Sequence, residues 1–309
     1  MSRYYSNGKL LITGEYVVLD GAKALAVPTK YGQDLTVKTI QESQIVWRSF
    51  TCNGECWFEA VFDLPKIRLT QANFNSNEEG GHEQIAETLQ DLLREARKLN
   101  PEFLNTQSGY MVTTNLSFPR DWGLGSSSTL INNIAQWANI DPFTLLWNAF
   151  SGSGYDIACA KNDSPILFRN SNNEPHIATV DFNPSFANQL FFVHLNQKQN
   201  SREGIQQYRK FKDDKDTVIS RITDISLEIL KAQSIEEFER LILEHEELIS
   251  SVVGVLPIKQ KLFPDYFGQI KSLGAWGGDF ILATGNELTP MYFKQRGYLT
   301  TITYSDMIL

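Results

Sequence analysis

Cysteine is scarce: three thiols in 309 residues are too few, and odd in number, for a disulfide framework, so a stapled secreted scaffold is excluded and a reducing compartment is expected. Long apolar runs are missing too. No stretch of 18 apolar residues could span a bilayer, and the opening MSRYYSNGK has no apolar signal core, so the sequence reads as cytoplasmic, unprocessed and off the membrane. Positive charge is in deficit, with 28 Lys and Arg against 36 Asp and Glu; the resulting net charge of -8 repels a phosphate backbone and sets nucleic acid aside as a partner. Cys52 and Cys56 form C-x-x-x-C without a second Cys/His pair at zinc spacing, and the four histidines are scattered, so no zinc site is expected. What is present, 42% hydrophobic residues, can fill one large core or two smaller ones.

Periodicity predicts mixed structure. Leu10-Leu11-Ile12 and residues 16–19 read as two strands broken by Thr13-Gly14-Glu15, with Asp20-Gly21 as a hairpin turn opening a β-meander. Further strands are expected at 33–40, 44–50, 56–62 and 109–118. Ile85, Leu89, Leu92, Leu93, Ala96 and Leu99 recur at helical spacing up to Asn100-Pro101, and Leu130, Ile134, Trp137 and Ala138 share a second helical face. Residues 189–195 predict a buried strand, 218–230 and 235–253 helices, and 280–284 and 298–303 closing strands. The sum is an α+β protein in two layers, with a boundary placed in the polar stretch 170–188, giving domains 1–180 and 181–309.

Three glycine-rich segments carry the chemistry. The first, Gly123-Leu124-Gly125-Ser126-Ser127-Ser128-Thr129, lies between a predicted strand and a predicted helix. Small residues let a backbone approach an anion, and the helix N-terminus offers unbonded N–H groups and partial positive charge, the makings of a triphosphate cradle. A serine-rich cap serving only the helix accounts for the same letters. No Gly-Lys-[Ser/Thr] follows the glycines and Gly-x-Gly-x-x-Gly is absent, which excludes a Walker loop and a Rossmann fingerprint. The second segment, Ser151-Gly152-Ser153-Gly154-Tyr155-Asp156, makes Asp156 the candidate base for an acceptor hydroxyl, with an Asx turn or helix cap as the plainer account. The third, Gly274-Ala275-Trp276-Gly277-Gly278-Asp279, runs into the apolar Phe280-Ile281-Leu282 and could equally be a set of turns. Near the start, Lys9 stands at the mouth of an apolar strand, either to neutralise phosphate and activate a hydroxyl or as a solvated edge.

In this order the segments resemble the GHMP kinase superfamily, in its mevalonate and phosphomevalonate kinase branch, over most of the chain. Residues 7–19 are similar to its P-G-K…G-E-[HY] motif, 123–129 to its G-L-G-S-S ATP motif, and 274–279 to its third glycine motif. Glu15-Tyr16, the Gly-Ser-Gly-Tyr-Asp run and Gly277-Gly278-Asp279 look more like phosphomevalonate kinases. Asn7 replaces the usual proline, Phe118 and Asp121 replace smaller residues, and 130–155 lacks the magnesium-binding glutamate that mevalonate kinases carry there.

The resemblance implies an N-terminal ribosomal-protein-like α+β domain and a C-terminal ferredoxin-like α/β sandwich. It implies an ATP- and Mg2+-dependent kinase, monomer or homodimer, that phosphorylates mevalonate or phosphomevalonate in isoprenoid precursor synthesis. Lys9 and Asp156 would be the catalytic pair, Gly123 to Thr129 the ATP loop, and Ser127 the hydroxyl nearest Mg2+. Glu15, Lys198, Ser201, Arg202, Gly277 and Gly278 would face an anionic small-molecule substrate. The alternatives are a catalytically silent nucleotide- or metabolite-binding relative, or a kinase for homoserine or a sugar.

Overall fold

The computed structural model describes residues 1–74, 82–197, 201–211, 213–276 and 278–309, with 82–83 and 201–203 as backbone only. They divide into two compact units. One comprises Met1–Gly8, Tyr31–Arg120 and Gly125–Lys161; the other comprises Lys9–Lys30, Asp121–Leu124 and Asn162–Leu309.

The first unit takes the opening of β1 (Ser2–Leu11) and the second half of β2 (Ala24–Ile40), then β3 (Gln44–Phe50), β4 (Cys56–Asp63), β5 (Arg68–Phe74), α1 (His82–Leu99), β6 (Gly109–Leu116), α2 (Ser126–Ala138), α3 (Pro142–Ala149) and α4 (Tyr155–Lys161). Its strands run in the order β5-β4-β3-β6-β2, antiparallel except for the parallel pair β3 and β6. Ile45 and Trp47 of β3 and Phe58, Ala60 and Phe62 of β4 are buried at alternate positions, the period of a sheet with one covered face. Ala86, Leu89, Leu92, Leu93 and Ala96 form the buried stripe of α1, as their spacing predicts.

The second unit holds the end of β1, the start of β2, the hairpin β7 (Ile166–Ser171) and β8 (Glu174–Thr179), β9 (Leu190–His194), α5 (Ser201–Lys210), α6 (Lys215–Ile229), α7 (Ile235–Val253), α8 (Ile258–Leu262), β10 (Ile270–Ser272), β11 (Phe280–Thr284), α9 (Thr289–Gln295), β12 (Thr301–Thr303) and α10 (Tyr304–Met307). Ala24, Leu25 and Ala26 of β2 pair with β7. A second sheet, β10-β11-β9-β12, is antiparallel throughout, and every residue of β9 and β11 is buried, which is why both read as continuous apolar runs.

The mixed α/β architecture agrees with the sequence reading, and several local features differ. Residues 16–19 are not a strand: Val17–Asp20 is a turn of 3-10 helix, closed by Gly21 in the left-handed region, so the chain does not open as a β-meander. Tyr16, Val17 and Val18 are buried consecutively, a pattern that a half-buried strand cannot give. The polar stretch after residue 170 contains a hairpin rather than a linker, with Asn172 and Asn173 both at positive φ in its turn and β8 exposed along most of its length. β5, largely exposed, and α3 and α4 carried no period strong enough to read. On α2, Leu130 and Trp137 are only half-buried, while Asn132 and Asn133 lie in the core. No helix among the described residues is long and apolar enough to cross a membrane.

Candidate active site

The glycine-serine loop runs from the second unit into the first at Gly125. In the first unit Gly125, at φ 89, precedes α2 without lending a side chain, and the Thr129 N–H makes the first intrahelical bond to the Gly125 carbonyl. The N–H groups ahead of it have no partner within the helix, the feature that suits a helix start to an anion. The hydroxyls divide the work. Ser128 Oγ donates to the Gly125 carbonyl at 2.9 Å and Thr129 Oγ1 to Gln33 Oε1 at 2.8 Å, whereas Ser127 is exposed at the tip.

α2 is anchored by buried amides that its apolar spacing does not announce. Asn132 Nδ2 donates to Ser6 Oγ at 2.9 Å and to the Ala160 carbonyl of α4 at 3.3 Å; Asn133 Nδ2 donates to the Gln33 carbonyl and its Oδ1 accepts from Ser6 Oγ at 2.8 Å. Two adjacent asparagines inside a helix, where they are poor formers, were the available signal. α4 packs against α2 and carries Asp156 half-buried in its first turn. The turn before it is held by Trp147 Nε1, which donates to the Gly152 carbonyl at 3.2 Å.

In the second unit Lys9 holds the start of the loop twice: its backbone N–H donates to the Leu124 carbonyl and its Nζ to the Gly123 carbonyl, both at 3.0 Å. Gly123 sits at φ 64, and a Cβ there would lie 2.3 Å from Asp279 Cγ, so only glycine lets the loop pass that carboxyl group. Asp279 is fixed by its own backbone, its N–H on the Gln197 carbonyl and its carbonyl accepting from Leu195, each at 2.8 Å. His194, given no role from sequence, is buried, with Nε2 3.2 Å from the Asp121 carbonyl; a carbonyl can only accept, so Nε2 carries the proton. Trp122 meets Phe280 edge-on at 5.4 Å. A histidine at the end of an apolar strand gave no sequence clue to this support.

Glu15 is buried completely. Its Oε1 accepts from Lys271 Nζ at 2.5 Å, and Lys271, also buried, donates to the Ser272 carbonyl at 2.8 Å and stands 3.7 Å from Glu246 Oε1. His245 Nε2 accepts from the Gly14 N–H at 3.0 Å and lies 3.3 Å from Glu15 Oε2, so the two atoms face each other as acceptors. Burial holds His245 well below its ordinary pKa, so it is neutral there, with the nearby Lys271 ammonium adding to the effect. Burial raises the Glu15 carboxyl against the pull of Lys271, and it lifts Glu246 to about 7, with the Glu15 charge pushing the same way. The Glu15 carboxylate is therefore spent inside the protein and fixes the turn that bears it. Among the described residues no group of three or more His, Cys, Asp or Glu is arranged to hold a metal ion.

Lys198 and Gly277 lie outside the described residues; Ser201 and Arg202 open α5, their side chains also outside them, and Gly278 is buried.

No family model matches the chain, and no curated protein matches it in sequence. Solved structures do match over nearly the whole length. The chain is similar to Methanococcus jannaschii mevalonate kinase, with a TM-score of 0.68 and 17% identity over 96% of this chain and 94% of that one. It is similar to Streptococcus pneumoniae phosphomevalonate kinase in complex with phosphomevalonate and AMPPNP, with a TM-score of 0.67 and 16% identity over 98% and 100%. Lactococcus lactis galactokinase complexed with galactose follows at 0.64 and 12%, over 97% and 92%. The chain has the fold of the GHMP kinases.

Proposed function

We propose that this protein is an ATP-dependent phosphotransferase of the GHMP kinase superfamily acting on a small anionic alcohol, mevalonate or phosphomevalonate, in isoprenoid precursor synthesis. The observation that carries the reading is the double hold of Lys9 on Gly123 and Leu124, which puts an ammonium on the loop that runs straight into the start of α2. A cation held on residues 123 and 124, and the unbonded N–H groups of the helix start that follows them in the chain, each suit a phosphate, and phosphoryl transfer asks for little beyond positioning and charge neutralisation.

In this mechanism residues 123–129 cradle the phosphates, Asp156 orients the acceptor hydroxyl and takes its proton, and Lys9 neutralises charge as the phosphoryl group moves. Mg2+ is usually held by substrate phosphates with few protein ligands, and the exposed Ser127 hydroxyl fits that role; the ion supplies charge neutralisation. Glu15 shapes the substrate side through the turn it fixes, and Lys198, Ser201, Arg202, Gly277 and Gly278 complete that side. The assignment of ATP binding to residues 1–180 and of a C-terminal domain to 181–309, as functional regions whose folding units interleave, and a cytoplasmic location belong to the same proposal.

The test is ADP release with ATP and Mg2+ against mevalonate, phosphomevalonate, homoserine and several sugars, with Asp156→Ala and chelated Mg2+ as controls. One acceptor of the mevalonate pair should turn over, the variant should lose roughly a thousandfold or more while keeping its unfolding temperature, and chelation should stop the reaction. Turnover of homoserine or a sugar alone would reassign the acceptor, and ATP binding without turnover would mark a silent relative.

A further inference from the structure

Within the second unit, one tyrosine touches two of the segments assigned above. Tyr16, the residue after Glu15, has a backbone φ of 65, a conformation an aromatic residue keeps only when its surroundings enforce it. Its hydroxyl donates to the Ala275 carbonyl of the third glycine segment at 3.0 Å. Gly204, in the first half of α5, lies so close that a Cβ there would stand 2.1 Å from the Tyr16 hydroxyl oxygen and 2.5 Å from the ring. A glycine inside a helix is unfavourable by about 1 kcal/mol relative to alanine, so its presence here answers to the close approach of the ring.

A second contact secures the same helix one turn further on. The ring of Tyr208, buried on α5, is 6.3 Å from that of Tyr16, and its hydroxyl donates to Asp20 Oδ2 at 2.6 Å. Lys215, at the start of α6, reaches the same oxygen at 2.5 Å and lies over the Tyr208 ring, 4.2 Å from its centroid. Asp20 ends the 3-10 turn that begins just after Tyr16, so clasp and ring are two ends of one short rigid piece. The carboxylate accepts from a neutral and a charged donor at once, the kind of bond that fixes an element rather than merely covering it.

We propose that Tyr16 is a positioning residue: its hydroxyl sets the third glycine segment through Ala275, its ring sets α5 through Gly204, and the Asp20-Tyr208-Lys215 clasp keeps α5 against it. This rests on the kinase reading, in which the start of α5 and the third glycine segment face the acceptor.

The experiment is hydrogen exchange of the full chain without substrates, then kinetics with the acceptor found in the panel, on Tyr16→Phe, Tyr208→Phe and Lys215→Met. Tyr208→Phe keeps the ring, and Lys215→Met changes a half-exposed side chain, so at least one variant folds. The clasp variants should speed exchange across 201–210 by roughly tenfold, the worth of one hydrogen bond to a charged group, and Tyr16→Phe should do so across 273–279. Acceptor KM should rise by a similar factor with kcat nearly unchanged. Unchanged exchange at α5 in both clasp variants overturns the proposal whatever the activity, as does a fall in kcat with KM untouched. Loosened exchange in the variants, with a wild-type protein that turns over nothing, leaves Tyr16 as the post for α5 and overturns the kinase reading instead.

Discussion

Single residues decide how the loop and the turn are held. Replacing Gly123 by Ala puts a side chain into positive φ and against Asp279, so we expect about 1–3 kcal/mol of lost stability and a larger loss of ADP release than stability explains. Gly54→Ala is the control: φ is also positive, at 79, but nothing lies within 4 Å, so only backbone strain should register. Glu246 gives a pH prediction. Its folded pKa of about 7 is raised above the ordinary 4.5, so the folded state holds the proton more tightly, and the group costs stability progressively as pH rises from about 4.5 to 7. His245 works in the opposite sense, since a lowered pKa loses stability as pH falls below 6.5, and the two partly cancel in wild type. Glu246→Gln isolates the first: denaturant titrations should show the variant gaining on wild type by up to about 3 kcal/mol between pH 4.5 and 8, and a constant difference would contradict the burial argument. At this scale the residues themselves singled out the glycines and Lys9 as candidates, and the family resemblance singled out Glu15. The sequence did not disclose Lys271, His245 or Glu246, because a buried ionic cluster joins residues more than 200 positions apart and no local pattern records the pairing.

Elements were legible where burial was one-sided, as in α7, or complete, as in β9 and β11. α7 matches its expected bounds because Phe238, Leu241, Ile242, His245 and Ile249 keep helical spacing and Ser234 starts it with a side-chain cap, accepting from the Glu237 N–H at 3.2 Å. Glu237 reciprocates one residue upstream, its carboxylate accepting from the Gln233 N–H at 3.0 Å. Ser234→Ala should therefore cost about 1 kcal/mol in urea unfolding without touching ADP release, and no measurable cost would mean that Glu237 alone sustains the helix start. The elements that were missed fail the same criterion from the other side. β8 is exposed nearly throughout, and the 3-10 turn is buried at consecutive positions, so neither writes a period of two into the sequence. On α2, the buried amides carry the polarity of a solvent face while occupying the core, and that inverts the apolar count on which the helical face was read.

Across the whole molecule, the two units are interleaved along the chain, which residue patterns read in order could not have revealed. Lys9–Lys30 belongs with Asn162–Leu309, and its polar groups are met there. Thr13 Oγ1 and Ser226 Oγ are 2.6 Å apart, the Lys23 N–H donates to Thr223 Oγ1 at 3.0 Å, and the Gly14 N–H donates to His245. A fragment of residues 1–180 should consequently show no cooperative urea transition, and a sharp one would mean that 9–30 can be satisfied without its partners. Residues 308 and 309 complete the same region: the Leu309 N–H donates to the Pro28 carbonyl at 3.2 Å and Ile308 bridges Thr29. During synthesis residues 28 and 29 thus stay without these partners until residues 308 and 309 have been made, and it is in that long interval that a chaperone would find the strand.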